Sequence, residues 1–108
     1  MERIKAKYPD ANNLRLLVNR EEELLLLLDN RHVKFEKTNL SFLDQFQLTT
    51  ECPNDIHPSA VIRQVFPHYD ELYCNDISSI EDCGDHYLIT IHQECPVHFG
   101  SFKLHKKG

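Results

Sequence analysis

The chain has 108 residues, of which 41% are hydrophobic and 27% charged, enough apolar material for one folded domain and too much for a disordered chain. Gly and Pro are only 3 and 5, which excludes linker-like or collagenous composition, and the longest apolar run is the five leucines Leu24 to Leu28, far short of the ~20 residues of a membrane span. Twelve Lys and Arg against 17 Asp and Glu leave a formal charge of −5, the wrong sign for a protein that grips phosphate backbones.

Residues 1–18 open ambiguously. Ile4, Ala6 and Tyr8 alternate with Arg3, Lys5 and Lys7 as in a short strand or extended arm, and Pro9-Asp10 breaks it. Leu14, Leu16, Leu17 and Val18 fit either period. From Asn19 a helix over about 20–29 is expected. Asn19 is a good N-cap, Glu22 stands where a capping box places its acid, and Glu21 to Glu23 suit the positive end of the dipole. Leu24 to Leu28 would then cover all sides of a buried helix, with Asp29-Asn30 as its stop.

His32 to Glu36 alternates as a half-buried strand, Val33 and Phe35 inward, and Lys37-Thr38-Asn39 reads as a turn. Leu40 to Leu48 fits two patterns: a strand with Leu40, Phe42, Phe46 and Leu48 on one face, or a helix capped by Ser41. The preceding strand favours the hairpin. Thr49 to His57 is a loop, and Pro58 begins a helix with the stripe Val61, Ile62, Val65 and Phe66, ended by Pro67. Tyr69 and Leu72-Tyr73 suggest one more helical turn. Ile77 to Asp82, His86 to Gln93 and Ser101 to Lys107 are strands joined by turns at Cys83-Gly84-Asp85 and Pro96 to Gly100. The whole predicts one α+β domain over 1–108: an antiparallel sheet of about five strands, ending in a three-stranded meander, with an N-terminal helix and one or two short helices on one face. In the meander, a tight turn at 82–86 makes paired residue numbers sum to about 167–169 and brings Cys74 opposite Gln93 to Cys95, unless a bulge at Ile77 to Ile80 intervenes.

Met1 is followed by Glu2, Arg3 and Lys5 with no apolar stretch before Pro9, so no secretory signal is expected and a cytoplasmic setting, cellular or that of a virus-encoded product, follows. In that compartment Cys52, Cys74, Cys83 and Cys95 are expected to stay reduced. Seven histidines would move the formal charge from −5 to +2 if all were protonated; scattered surface positions explain them without a switch.

Three constellations bear on chemistry. Cys52 with His57 and Cys95 with His98 lie in similar Cys-Pro turns, and two thiolates and two imidazoles would complete a tetrahedral zinc site if the loops met. The spacings C-x4-H and C-x2-H match no common zinc finger, and the core suffices without metal, so no metal and no cofactor are expected. Cys83 stands three residues before His86, but Glu81, Asp82 and Asp85 surround it with negative charge, which disfavours a thiolate nucleophile. With no glycine-rich phosphate loop and no hydrolase or zinc-protease motif, enzyme chemistry is not expected. The third is acidity, concentrated at Glu21–Glu23, at Asp70-Glu71 with Asp76, and at Glu81-Asp82 with Asp85. The expectation is a non-enzymatic binding protein, an inhibitor of the toxin-immunity or phage anti-defence kind, that docks Glu81, Asp82, Asp85, Asp70 and Glu71 on a basic surface of a protein partner, without direct nucleic-acid or membrane contact. A metal- or small-ligand-binding sensory domain is the alternative.

Overall fold

A computed structural model describes residues 2–50 and 56–106. In chain order the elements are α1 (Glu2–Lys5), β1 (Leu14–Asn19), β2 (Glu23–Leu28), β3 (Arg31–Glu36) and β4 (Thr38–Asn39), then a 3₁₀ helix (Leu40–Phe46) and β5 (Thr49–Thr50). There follow α2 (Pro58–Val65), a short 3₁₀ turn (Cys74–Asp76), β6 (Ile77–Asp82), β7 (His86–Ile91), β8 (His98–Phe99) and β9 (Ser101–Lys106). The mixed α+β class is as expected, with strands predominating. The chain forms two compact units, 1–38 with 93–99 and 39–92 with 100–108. Among the described residues no helix is long and apolar enough to cross a membrane.

The first unit is built on an antiparallel sheet in the order β1-β2-β3. The helix expected at 20–29 is therefore β2, the central strand. A five-leucine run satisfies a strand flanked on both edges: Leu24, Leu26 and Leu28 are buried, while Leu25 and Leu27 point to a half-covered face. The residues resembling a cap and a stop are hairpin turns. Arg20 N–H donates to the Glu23 carbonyl at 2.9 Å, and Asp29 and Asn30 take φ of 47° and 72°, the pair of positive values of a type I′ connection. The Asp29 carboxylate accepts from the backbone N–H groups of Asn12 (3.1 Å) and Asn13 (2.8 Å), which fastens the entry to β1 to that turn. Residues 2–5 are helical, not extended, and bury Ile4 completely. β1 is an edge strand with a bulge between Leu16 and Val18, a feature that blunts edge pairing.

The second unit centres on a four-stranded sheet ordered β5-β9-β7-β6, in which β5 runs parallel to β9 and the other pairs are antiparallel. The meander forms as its alternation predicts. Tyr87, Ile89 and Ile91 face the core with Phe102 and Leu104. The β6–β7 register sums to 169 from Ser79↔Thr90 to Asp82↔Tyr87 and to 168 at Ile77↔Ile91, with a bulge between Ile77 and Ser79. Gly84, at φ 97°, occupies the first central position of the connecting turn, where an L side chain would be strained. The strand does not reach back to Cys74. That residue begins a 3₁₀ turn whose Tyr73 N–H donates to Asp76 Oδ2 at 3.0 Å, so the register does not extend to a Cys74–Cys95 pairing. The single sheet of about five strands is replaced by separate sheets of three, four and two strands, the last being β4-β8, and the extra helical turn expected at Tyr69 to Tyr73 falls at 74–76 instead.

Leu40–Leu48 takes its helical alternative, as a 3₁₀ helix over 40–46. Leu40 and Leu43, three apart, are fully buried on one side of it, the spacing a three-residue turn aligns. Its cap is Asn39, assigned to a turn by the sequence pattern, whose Oδ1 accepts the N–H of Ser41 at 3.0 Å. Gln47, at φ 48°, ends it. Asp44 Oδ1 accepts from the backbone N–H of Lys103 at 2.8 Å and ties the helix to β9. α2 begins at Pro58 as expected and buries Val61 and Val65, but Phe66 at its end is 62% exposed.

Candidate functional site

In the first unit, segment 93–99 carries Cys95 and His98, both buried, with Sγ 3.9 Å from Nδ1. Arg3 of α1 brings its guanidinium to 3.4 Å from that same Nδ1, where a donated hydrogen bond would occupy the lone pair a metal needs. Lys37, only 5% exposed, follows β3 and donates from Nζ to Asn19 Oδ1 at 2.6 Å, while Asn19 Nδ2 donates to the Glu94 carbonyl at 3.1 Å. Burial pushes the Lys37 ammonium below its ordinary pKa, and the nearby Cys95 and Glu21 act in the opposite direction. Of the four residues weighed as zinc ligands, Cys95 and His98 are thus neighbours. His57 is an exposed member of the second unit with Nδ1 2.5 Å from Ser59 Oγ, and Cys52 lies outside the described residues. Sequence reasoning missed Arg3 and Lys37. The alternation Val33, Phe35 continues to Lys37, so its inward position was readable, whereas Arg3 meets His98 only through tertiary folding.

The second unit holds all five expected docking acids, and all five are exposed. Glu81, Asp82 and Asp85 sit at the tip of the β6–β7 hairpin. Asp82 accepts from Lys106 Nζ at 2.6 Å and from the Gly84 N–H at 3.0 Å, and these bonds, Lys106 first, hold its carboxyl below the usual range. Asp85 is paired with His86 Nδ1 at 2.5 Å, which lowers it likewise. Lys106, raised in turn by Asp82, lies 4.8 Å from the Tyr87 ring centre. The hairpin tip is therefore less negative than its composition. Cys83 is exposed there, its Sγ 3.7 Å from the Glu81 carbonyl oxygen.

Asp70 and Glu71 lie in the loop after α2, beside aromatic residues. Tyr69 donates its hydroxyl to Glu71 Oε2 at 3.3 Å and meets Phe42 edge-on at 5.7 Å. Phe42 meets Phe46 edge-on at 6.3 Å, and His68 stacks on Phe46 at 4.3 Å with the planes 20° apart. Phe46 nevertheless stays 39% exposed. The alternation of Leu40 to Leu48 predicts Phe42 and Phe46 on a strand face; the 3₁₀ helix instead brings them to Tyr69 and His68. An open groove of about 550 Å³ on the same unit is lined by Asp44, Gln47, Thr49, Lys103 and His105.

Comparison with family models, with curated proteins and with solved structures finds no match to this chain.

Proposed function

We propose that the chain is a small non-enzymatic binding protein, of inhibitor or immunity type, that occupies a basic surface of a macromolecular target with the acidic surface of its second unit. The observation that carries this reading is the division of charge. Among the described residues the second unit contains seven Asp and Glu against three Lys and Arg, whereas the first contains eight of each, so the excess of negative charge belongs to one unit. A docking surface gains orientation and association rate from charge segregated in this way.

The test holds net charge fixed and varies its location. A fluorescent arginine nonapeptide serves as the basic probe. Asp70→Asn/Glu71→Gln/Glu81→Gln in the second unit is compared with Glu21→Gln/Glu22→Gln/Glu36→Gln in the first. At low salt the former weakens binding by about tenfold, taking roughly 0.5 kcal/mol per exposed charge, and the latter by less than about twofold. Equal weakening by both triples would refute a localised docking surface.

The groove beside Asp44 favours the second reading, a small-ligand-binding domain, since its volume falls in the range of ligand pockets, roughly 300–1,000 Å³. Every lining residue carries a polar or charged group and the groove is open to solvent, unlike the mostly apolar enclosure such ligands require.

A further inference from the structure

We infer that the aromatic cluster of the second unit, Phe42, Phe46, His68 and Tyr69, seats an arginine side chain of the basic partner, so that recognition there is by guanidinium stacking and not by charge alone. This rests on the docking role proposed above and names the residue type that the surface selects.

Three observations carry it. Phe46 sits in a chain of ring contacts, edge-on to Phe42 and face-on to His68, and 39% of its surface stays open to a partner. The cluster continues through Tyr69 to the Glu71 carboxylate, so an aromatic platform and an acidic group are contiguous. The segment that supplies His68 and Tyr69, residues 66–73, contains the exposed Asp70 and Glu71 and no Lys or Arg. An apolar platform with an acidic rim complements a group that is planar, cationic and weakly hydrated. Guanidinium fits that description; an ammonium, compact and strongly hydrated, fits it less well. The ring face attracts the cation and the carboxylate accepts its N–H groups, two demands one arginine meets at once.

The experiment compares arginine and lysine nonapeptides of equal charge by fluorescence anisotropy against the intact chain, with Phe46→Ala and the packing-conservative Phe46→Leu, each checked for its unfolding midpoint. The wild type is expected to prefer the arginine peptide by about two- to fivefold, the size of an exposed cation–π contact. Both variants are expected to lose that preference while binding the lysine peptide as before. In the wild-type complex, arginine Hδ protons should move upfield under the rings. Equal affinity of the wild type for both peptides, or a preference that survives Phe46→Leu, would overturn the arginine seat and leave the acidic docking role standing. Failure of both peptides to bind in a salt-sensitive manner would remove the docking role itself. Self-association through Phe46 that competes with peptide would identify the occupant as a second copy and overturn the inference.

Discussion

Gly100 offers a sharp test of how the second unit is assembled. Its φ is 93°, and a Cβ built there would stand 2.6 Å from Asn39 Oδ1. That oxygen is the one that caps the 3₁₀ helix by accepting the Ser41 N–H at 3.0 Å. Gly100→Ala therefore carries two separable costs. The backbone conformation is disfavoured for any L side chain, by about 1–3 kcal/mol. The displaced Asn39 side chain gives up its cap, worth about 1 kcal/mol. The sum is about 2–4 kcal/mol. Asn39→Ala alone loses only the cap, about 1 kcal/mol, and in that background Gly100→Ala should cost about 1 kcal/mol less than in the wild type, because the oxygen it strikes is gone. Urea denaturation of the four proteins yields the cycle. If the cost of Gly100→Ala is the same in both backgrounds to within about 0.3 kcal/mol, the contact between Gly100 and the cap is not as described.

Further outcomes follow from other elements. Leu26→Ala, at a fully buried position on the central strand, should destabilise by about 2–5 kcal/mol, whereas Leu27→Thr on the half-covered face should cost under about 1 kcal/mol; equal sensitivity along Leu24 to Leu28 in denaturation curves would indicate a helix after all. Asn30→Gly should stabilise the β2–β3 hairpin by a few tenths of a kcal/mol, measured by thermal midpoint, since φ of 72° is easier for glycine. The carboxyls of Asp82 and Asp85 are held below their ordinary value of 3.8, so the unfolded chain binds more protons than the folded one as pH falls past that value. The stability they contribute is complete above the unfolded value and is lost as pH drops through the folded values; Asp82→Asn/Asp85→Asn should flatten the acid limb of a stability–pH profile, and an unchanged limb would contradict the pairing. The protein should purify without stoichiometric zinc and keep its fold in chelator; one zinc per chain by elemental analysis, lost with unfolding, would make ligands of Cys95 and His98.

The elements legible in the sequence were those whose evidence is local. β3, α2 and the meander β6-β7-β9 each carry their own alternation or stripe and their own turn chemistry, down to Gly84 and the bulge after Ile77. The failures came where a local pattern has two physical readings. Leu24 to Leu28 fits a buried helix or a central strand equally, and the choice depends on β1 and β3 pairing on either side, which only the folded chain supplies. Asp29-Asn30 ends a helix as plausibly as it makes a type I′ turn. Leu40–Phe46 alternates by accident, and the deciding feature, the Asn39 cap, looks in sequence like part of a turn. The candidate sites divide in the same way. Cys95 and His98 are three residues apart, so their proximity is visible in the sequence. Lys37 needed two more residues of an alternation already recognised. The Phe42–Phe46–His68–Tyr69 cluster unites two segments more than 20 residues apart, and no local pattern announces it.

The most direct test of the central claim is a ¹H–¹⁵N shift map of the intact chain titrated with the arginine nonapeptide at low salt and again at about 0.3 M, where screening shortens to about 6 Å. Docking through the second unit predicts shifts that saturate at residues 66–71 and 81–86, and at Phe42 and Phe46, and that fade with salt, leaving 14–36 unmoved. Shifts that gather on 14–36, or that spread evenly over both units, would contradict it.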